Sequence, residues 1–384
     1  MLNRRTIRIK AMQSIFAYEQ CKEANYHLAL DQLAEVFSFD LNSMEVQDKS
    51  LLKEQNMEAT KIFKARYKVK GKKVKDSDTD KINDEVNSAI KEYYMHLDKD
   101  SKFLKKEMLK DAELIYARFS WLLYWLEAMN KILASLKPKK DIYGYDNLIN
   151  NQVIKLILDH NSLSKTFIKS GLTWADQRDE TLVWLNEVIL KDEQIISYLD
   201  LEKPRFEDDK EIVQHIYKSA IFKNTDIIGV YMEQADLYWS ENKAILRSMV
   251  LKTIKVIEEG KEEFELAELS YNWEEDRQFF ETIYDQTVKE SVNYEQLIAD
   301  KSLNWDIERI SDTDRILLQM AIQEMINFPG IPLKVTINEY IEVSKKYSTP
   351  KSKQFINGVL DVIAVDLQKE GVIKKSGRGL LDNK

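Results

Sequence analysis

Cysteine is almost missing from this chain: Cys21 is the only one in 384 residues. No intrachain disulfide can form, and a single thiol suits a reducing compartment. Breakers are also scarce, with 10 Gly and 5 Pro. That leaves little material for tight hairpins, while the abundant Leu, Ile, Lys and Glu favour helices. The composition predicts an all-α protein. No uncharged run approaches the roughly 20 residues that cross a bilayer, and the most apolar stretch, 119–126, is too short. The first twenty residues are basic and amphipathic, without an apolar signal core or a cleavage site, so a cytoplasmic protein with no membrane contact is expected. His27, His96, His160 and His215 never pair at helical spacing, which leaves no metal-site pattern. No glycine-rich phosphate loop or dinucleotide fingerprint occurs. Neither a metal, nor a cofactor, nor an enzymatic activity is expected.

What the chain does hold is charge, unevenly placed. It is 44 % hydrophobic and 32 % charged, which suits a folded protein, and its net charge is −8. Yet residues 1–10 carry Arg4, Arg5, Arg8 and Lys10 with no acid, and residues 331–384 hold ten Lys or Arg against six Asp or Glu. Each end is thus +4 and the middle −16. A local basic surface matters more to a polyanion than the total does.

Periodicity supplies the helices. Ile7, Ala11, Ile15 and Tyr18 share one face of an opening helix, and Arg5, Arg8, Met12 and Phe16 lie on its flank within an arc of roughly 80°. Asn25 reads as a break, with a second helix over 28–37. From 40 to 110 the pattern weakens; 61–75 holds eight Lys or Arg and no acid and reads as a loop or frayed helix. Residues 111–136 form the most apolar helix, ended by Lys137-Pro138, and further helices are expected near 150–159 and 175–199. A motif then repeats: Phe206-Glu207-Asp208-Asp209, Ile216-Tyr217 and Tyr238-Trp239 recur as Trp273-Glu274-Glu275-Asp276, Ile283-Tyr284 and Asn304-Trp305. A weaker echo starts at Trp174-Ala175-Asp176. Each copy reads as a helix opened by acids, which suit the positive end of the dipole, followed by a second helix. In the last third, Ser311 or Asp312 caps a helix that stops at Pro329-Gly330. Pro332 precedes another that ends at Lys345-Lys346-Tyr347, and Ser352 opens the last. The stretch 371–384 reads as a flexible tail.

These segments resemble the transcription antitermination factor NusB family. The resemblance rests on Asn304-Trp305, Arg309-Ile310, Asp314-Arg315-Ile316-Leu317, Ala321 and Glu324, then Ile331-Pro332, Lys334-Val335 and Ile337-Asn338-Glu339. It ends with Lys345-Lys346-Tyr347, Ser352 and Phe355-Ile356-Asn357-Gly358-Val359-Leu360-Asp361. Arg4-Arg5, Arg8, Ala11, Gln13 and Phe16 match at the opening helix. With its long insertion and its Gly377-Arg378-Gly379-Leu380 tail, the chain looks like the enlarged Bacteroidetes form. The implied organisation is a discontinuous NusB-like helical core over 1–40 and 271–370. An inserted helical region spans 41–200, and a repeated hairpin at 201–270 packs on the core.

The resemblance implies binding to boxA-type RNA of ribosomal leader transcripts together with NusE, a small-subunit ribosomal protein, within an antitermination complex on RNA polymerase. It carries RNA contact to Arg4, Arg5, Arg8, Gln13 and Phe16 on the first helix and to Ser352 and Phe355 at the last. Ser348-Thr349-Pro350-Lys351 stands where many members have a glycine and acidic residues, and Lys351 and Lys353 add attraction for phosphate. Phe16 replaces a common tyrosine, keeping the stacking face without the hydroxyl. These residue types suit RNA chemically. Single-stranded RNA is read by stacking on aromatic or guanidinium planes and by amides at base edges, while arginines neutralise phosphate. Two other readings compete. One is a helical scaffold in ribosome assembly or on RNA polymerase, with RNA contact secondary. The other, an RNA methyltransferase extension, lacks its strand-rich cofactor domain.

Overall fold

The computed structural model describes residues 2–40, 42, 46–68, 76–137, 144–301 and 310–383. In chain order its helices are α1 (Arg4–Val36), α2 (Lys49–Arg66), α3 (Asp80–Leu133), α4 (Asp146–Ile149), α5 (Gln152–Asp159), α6 (Asn161–Ser170), α7 (Arg178–Glu187), α8 (Glu193–Leu199), α9 (Phe206–His215), α10 (Val230–Ala235), α11 (Trp239–Val256), α12 (Trp273–Lys301), α13 (Asp312–Asn327), α14 (Leu333–Tyr347) and α15 (Ser352–Lys369). No strand occurs among the described residues, so the all-α expectation holds. Two compact units emerge: residues 4–109 with 277–384, and residues 110–276 with the first three. This division differs from the expected one, because 41–109 joins the terminal segments and 110–200 joins 201–276.

In the first unit α13 is the central strut. Every residue from Ile316 to Met325 is buried, since α1, α14 and α15 all pack on it and Gln323 reaches the Thr282 carbonyl of α12 at 3.2 Å. Its start follows the expected chemistry: Ser311 Oγ accepts from the Asp314 amide at 3.2 Å, and Asp312 and Asp314 occupy the first turn. α15 ends at Lys369 and is closed two residues later by Gly371, whose φ of 70° admits the left-handed turn. There Val372 N–H donates back to the Leu367 carbonyl at 3.0 Å.

α1 runs through the expected break. Asn25 is buried and its Nδ2 donates to Asp100 Oδ2 at 2.7 Å, so its amide is satisfied within a helix and no turn is needed. The far end of α1 then packs with α2 and the start of α3 around Leu33, Phe37, Phe63, Ile82 and Val86. The basic run is correspondingly helical as far as Arg66, because Ile62 and Phe63 anchor it in this core; residues 69–75 lie outside the described residues.

The tail is docked rather than flexible. Ser376 N–H donates to the Pro329 carbonyl at 3.0 Å, Lys375 Nζ to the Phe328 carbonyl at 3.0 Å, and Ile373 is buried. A Cβ at Gly379 would collide with the Pro329 carbonyl oxygen, a backbone atom that cannot step aside. Gly379→Ala is expected to detach this segment at a cost of about 1–3 kcal/mol, from lost hydrogen bonds and apolar burial. Limited trypsin digestion at Lys374 and Arg378 checks it, faster cleavage being expected in the variant.

In the second unit the last part of α3 is buried at Phe119, Leu122, Trp125 and Leu126. Tyr217 Oη donates to the Leu122 carbonyl at 2.7 Å, and Trp121 stacks on Trp174 at 4.0 Å. The repeated motif does open two helices, at Phe206 and Trp273. After His215, however, the first copy passes into a π-helical segment, whereas the second stays α-helical to Lys301; its Asn304-Trp305 lies outside the described residues. Residues 110–276 contain 21 Lys or Arg against 31 Asp or Glu, so this unit holds the acidic mass and the other is nearly neutral.

Candidate nucleic-acid interface

α1 turns its arginines toward α13 and α14, and the two that sequence reasoning ranked together meet different fates. Arg8 is 3 % exposed. Its Nε and Nη2 donate to the two oxygens of Glu324, both at 2.7 Å, and Glu339 Oε2 stands 3.6 Å from Nη1. Glu324 is fully buried and also accepts from Thr336 Oγ1 at 2.8 Å and Tyr340 Oη at 3.2 Å. Burial works against the Arg8 charge, but the hydrogen bonds and charge of Glu324 prevail and hold its pKa above the ordinary value. The expected RNA contact at Arg8 is therefore corrected: its guanidinium faces a carboxylate inside the bundle and presents no plane to a ligand.

Arg5, one turn earlier, is 48 % exposed and forms a second bidentate pair, at 2.9 and 2.7 Å, with Glu339 on α14. The Arg5 hydrogen bond holds the Glu339 carboxyl below the usual range. Arg4 is half-buried with its guanidinium 5.0 Å from the centre of the Phe279 ring. Gln13 is half-buried, and Phe16 is 39 % exposed, an apolar ring offered to solvent on the flank of α1.

The second segment is the turn before α15. Lys351 and Lys353 are exposed; Ser352 and Phe355 are buried. Ser352 Oγ donates to Asp314 Oδ2 at 2.7 Å and lies 2.9 Å from Ser348 Oγ and 2.8 Å from Thr349 Oγ1. This hydroxyl cluster fixes the turn to the first turn of α13. Ser352 and Phe355 are thus corrected from contact residues to supports, the first by its hydrogen bonds and the second by its place on the buried stripe Phe355, Ile356, Val359, Leu360 and Ile363. Lys346, its Nζ 4.9 Å from the Tyr347 ring centre, adds a further exposed charge at the end of α14.

Both segments therefore hang on α13, at Glu324 and at Asp314. Ten residues separate these anchors, about 15 Å along the axis and about 80° around it by helix geometry, so the segments lie on adjoining faces. Gln319 Nε2 lies 3.4 Å from Glu295 Oε1, which with the Gln323–Thr282 bond makes α12 and α13 antiparallel. α1 meets Phe279 through Arg4 and Arg8 and then comes within electrostatic reach of Tyr284 at Tyr18 and Cys21. That phenol is pushed up to about 12, chiefly by burial. α1 thus follows α12 and advances from the Glu324 end of α13 toward the Asp314 end, carrying Phe16 toward Lys351 and Lys353.

Sequence reasoning missed the receivers. Glu324 and Glu339 belong to the family-like pattern but had no role in the expected site. The available signal was Glu324 itself, an acid in the apolar run from Ile316 to Met325, which demands a buried cation.

The NusB family matches residues 244–365, which include α12–α14 and most of α15 and leave α1 outside. The transcription antitermination protein NusB of Salinibacter ruber is 43 % identical over 105 residues, 27 % of this chain and 66 % of the relative. That of Chloroherpeton thalassium is 39 % identical over 106 residues, 28 % and 50 % of the two chains. That of Natranaerobius thermophilus is 40 % identical over 102 residues, 27 % and 71 %. The chain thus spans half to two thirds of the length of the first two relatives. No solved structure matches. Given 40 % identity across 71 % of a NusB protein and a family match that covers the strut α13, α14 and most of α15, the chain belongs to the NusB family, of which it is an enlarged member.

Proposed function

We propose that this chain is a non-enzymatic transcription antitermination factor that binds boxA-type RNA of ribosomal leader transcripts together with NusE, within the antitermination complex on RNA polymerase. The observation that carries this reading is the exposed ring of Phe16 on the same α13-braced frame as Arg5, Lys351 and Lys353. Phe16 supplies a stacking plane, whereas the amide oxygen of Gln13 is buried and does not face the RNA. The cations, with Arg4 beside Phe279, supply phosphate attraction. Arg8, Ser352 and Phe355 act through the frame, by holding α1 and the turn at their places on α13.

The test is RNA binding by fluorescence anisotropy, with boxA-type leader RNA and a scrambled RNA of equal length, with and without NusE, across a salt series. Tighter binding of the boxA-type RNA, strengthened by NusE and weakened by salt, is expected. Equal affinity for both RNAs at every salt concentration overturns the reading. Glu339→Gln gives a signed check on the site. Removing this carboxylate releases Arg5, which otherwise has to leave it to meet phosphate, and is expected to raise RNA affinity several-fold with the salt slope unchanged. The pair is partly exposed, so folding stability should fall by no more than about 1 kcal/mol. The wild type should show the same release only in acid: the folded pKa of Glu339 lies below 4.5, so the pair stabilises above that pH and is lost as pH falls through the folded value.

One observation favours the scaffold reading for part of the chain. Residues 110–276 are strongly acidic, and a cleft of about 1070 Å³ there is lined by Asp159, Glu262, Glu263, Glu265 and Glu268. Such a surface repels RNA and suits a protein partner. Undiminished binding to RNA polymerase by a full-length variant that no longer binds RNA would support it.

A further inference from the structure

The expected loop at 61–75 begins as part of a helix with an ordered outer face, and that face has no role in the site described above. Ala59, Ile62 and Phe63 bury one side of α2 in the core it shares with α1 and α3. By helix geometry Lys53, Met57, Lys61 and Lys64 then fall within an arc of about 80° whose centre lies about 170° from that buried side. Tyr67 caps the helix with helical dihedrals, so Lys68 continues the row. Lys53, Lys61, Lys64 and Lys68 are exposed, as is Met57 at 65 %. Glu54 and Glu58 lie on the flank outside the arc, and Arg66 takes its own partner, Asp76. Like charges at Lys61–Lys64 and Lys64–Lys68 destabilise a helix, so the row works against the fold that displays it.

We infer that this lysine row is a second RNA contact, a sequence-independent track for the phosphate backbone flanking the RNA held at Phe16. The inference rests on the RNA-binding reading proposed above. Charge complementarity defines the occupant: four ammonium groups, of which that of Lys68 lies 5.8 Å from the centre of the half-buried Tyr67 ring, recognise phosphate and cannot read bases. A membrane is the poorer fit, since the arc contains one apolar residue, Met57, where an interfacial helix needs an apolar face. Continuity adds to this. α2 packs on the distal half of the helix that carries Phe16, and Phe16 to Leu33 is about 25 Å along α1, within reach of one continuing strand.

The test compares full-length protein with a Lys53→Gln, Lys61→Gln, Lys64→Gln, Lys68→Gln variant, on boxA-type RNA alone and on the same RNA extended by about 15 unrelated nucleotides at each end. Wild type should bind the extended RNA about tenfold more tightly. The variant should lose that gain, with a log–log salt slope shallower by about 3, and should bind the short RNA as before. The four side chains are exposed and their mutual repulsion is relieved in the variant, so circular dichroism should not change and melting should not fall, and the matching Lys→Arg variant should behave as wild type. Short-RNA binding without any gain from extension, or an unchanged slope in the variant, overturns the inference and leaves the Phe16 site standing. Absence of binding to either RNA by wild type defeats the underlying reading, and this one with it. Loss of polyglutamate binding in the variant with its RNA slope intact assigns the row to an acidic protein and also overturns the proposal.

Discussion

Arg8→Met is expected to destabilise the protein by about 3–5 kcal/mol, the cost of leaving a buried charge without its partner. The variant retains a fully buried Glu324 that loses two 2.7 Å charge-assisted hydrogen bonds and keeps those from Thr336 and Tyr340. Two neutral hydroxyl donors do not replace a guanidinium at a carboxylate held in an apolar setting. Glu324→Leu is expected to cost less, since Arg8 among Phe279 and Tyr340 keeps Glu339 Oε2 at 3.6 Å. The double variant should recover much of either loss, since two apolar residues of similar volume carry no desolvation penalty. Urea denaturation of all four proteins measures this. Single-variant losses below about 1 kcal/mol would place the pair among surface ion pairs, contrary to its burial. RNA affinity of the folded Arg8→Met protein should fall less than that of an Arg5 variant, because Arg8 acts only by holding α1 in place.

How far the sequence reaches is visible at that pair. α13–α15 were legible almost to the residue, because each carries its own local signals: Ser311 at a cap, Pro329-Gly330 at a stop, Pro332 before a start, and an uninterrupted apolar stripe from Phe355 to Leu367. Nothing local, by contrast, tells an arginine that faces water from one that faces Glu324. Arg5 and Arg8 are three residues apart on one flank of α1, and only the arrival of α13, over 300 residues later, separates them. The same limit explains Asn25, whose helix-breaking tendency is overridden by Asp100. It also explains the tail, whose order depends on the carbonyls of Phe328 and Pro329. For the basic run, charge pattern alone reads as solvated loop; Ile62 and Phe63 were the contrary signal, two large apolar residues needing a core. The division into units was illegible for a related reason, since the weak pattern before 110 and the apolar one after it belong to a single helix of 54 residues, α3.

Phe16→Ala and the triple variant Arg5→Gln, Lys351→Gln, Lys353→Gln are expected to weaken RNA binding in ways that a salt series tells apart. Removing the ring removes a stacking platform worth about 1–3 kcal/mol per base, a loss of roughly 5- to 150-fold. Stacking releases no counterions, so the loss should be the same factor at every salt concentration and the log–log slope should not change. Removing three cations should instead flatten the slope by about 2, at roughly 0.7 for each single-strand phosphate contact. Three such contacts account for about a 20-fold weakening between 50 and 200 mM salt, so the triple variant should fall far behind wild type at low salt and approach it as salt rises. Because Phe16 is 39 % exposed and both lysines are exposed, surface substitutions of this kind should leave stability within about 0.5 kcal/mol, apart from the small Arg5–Glu339 term. A changed slope in Phe16→Ala would mean that the ring only props up the cations beside it. An unchanged slope in the triple variant would mean that these charges never meet phosphate, and the surface spanning α1 and the turn before α15 would have to be abandoned as the RNA site.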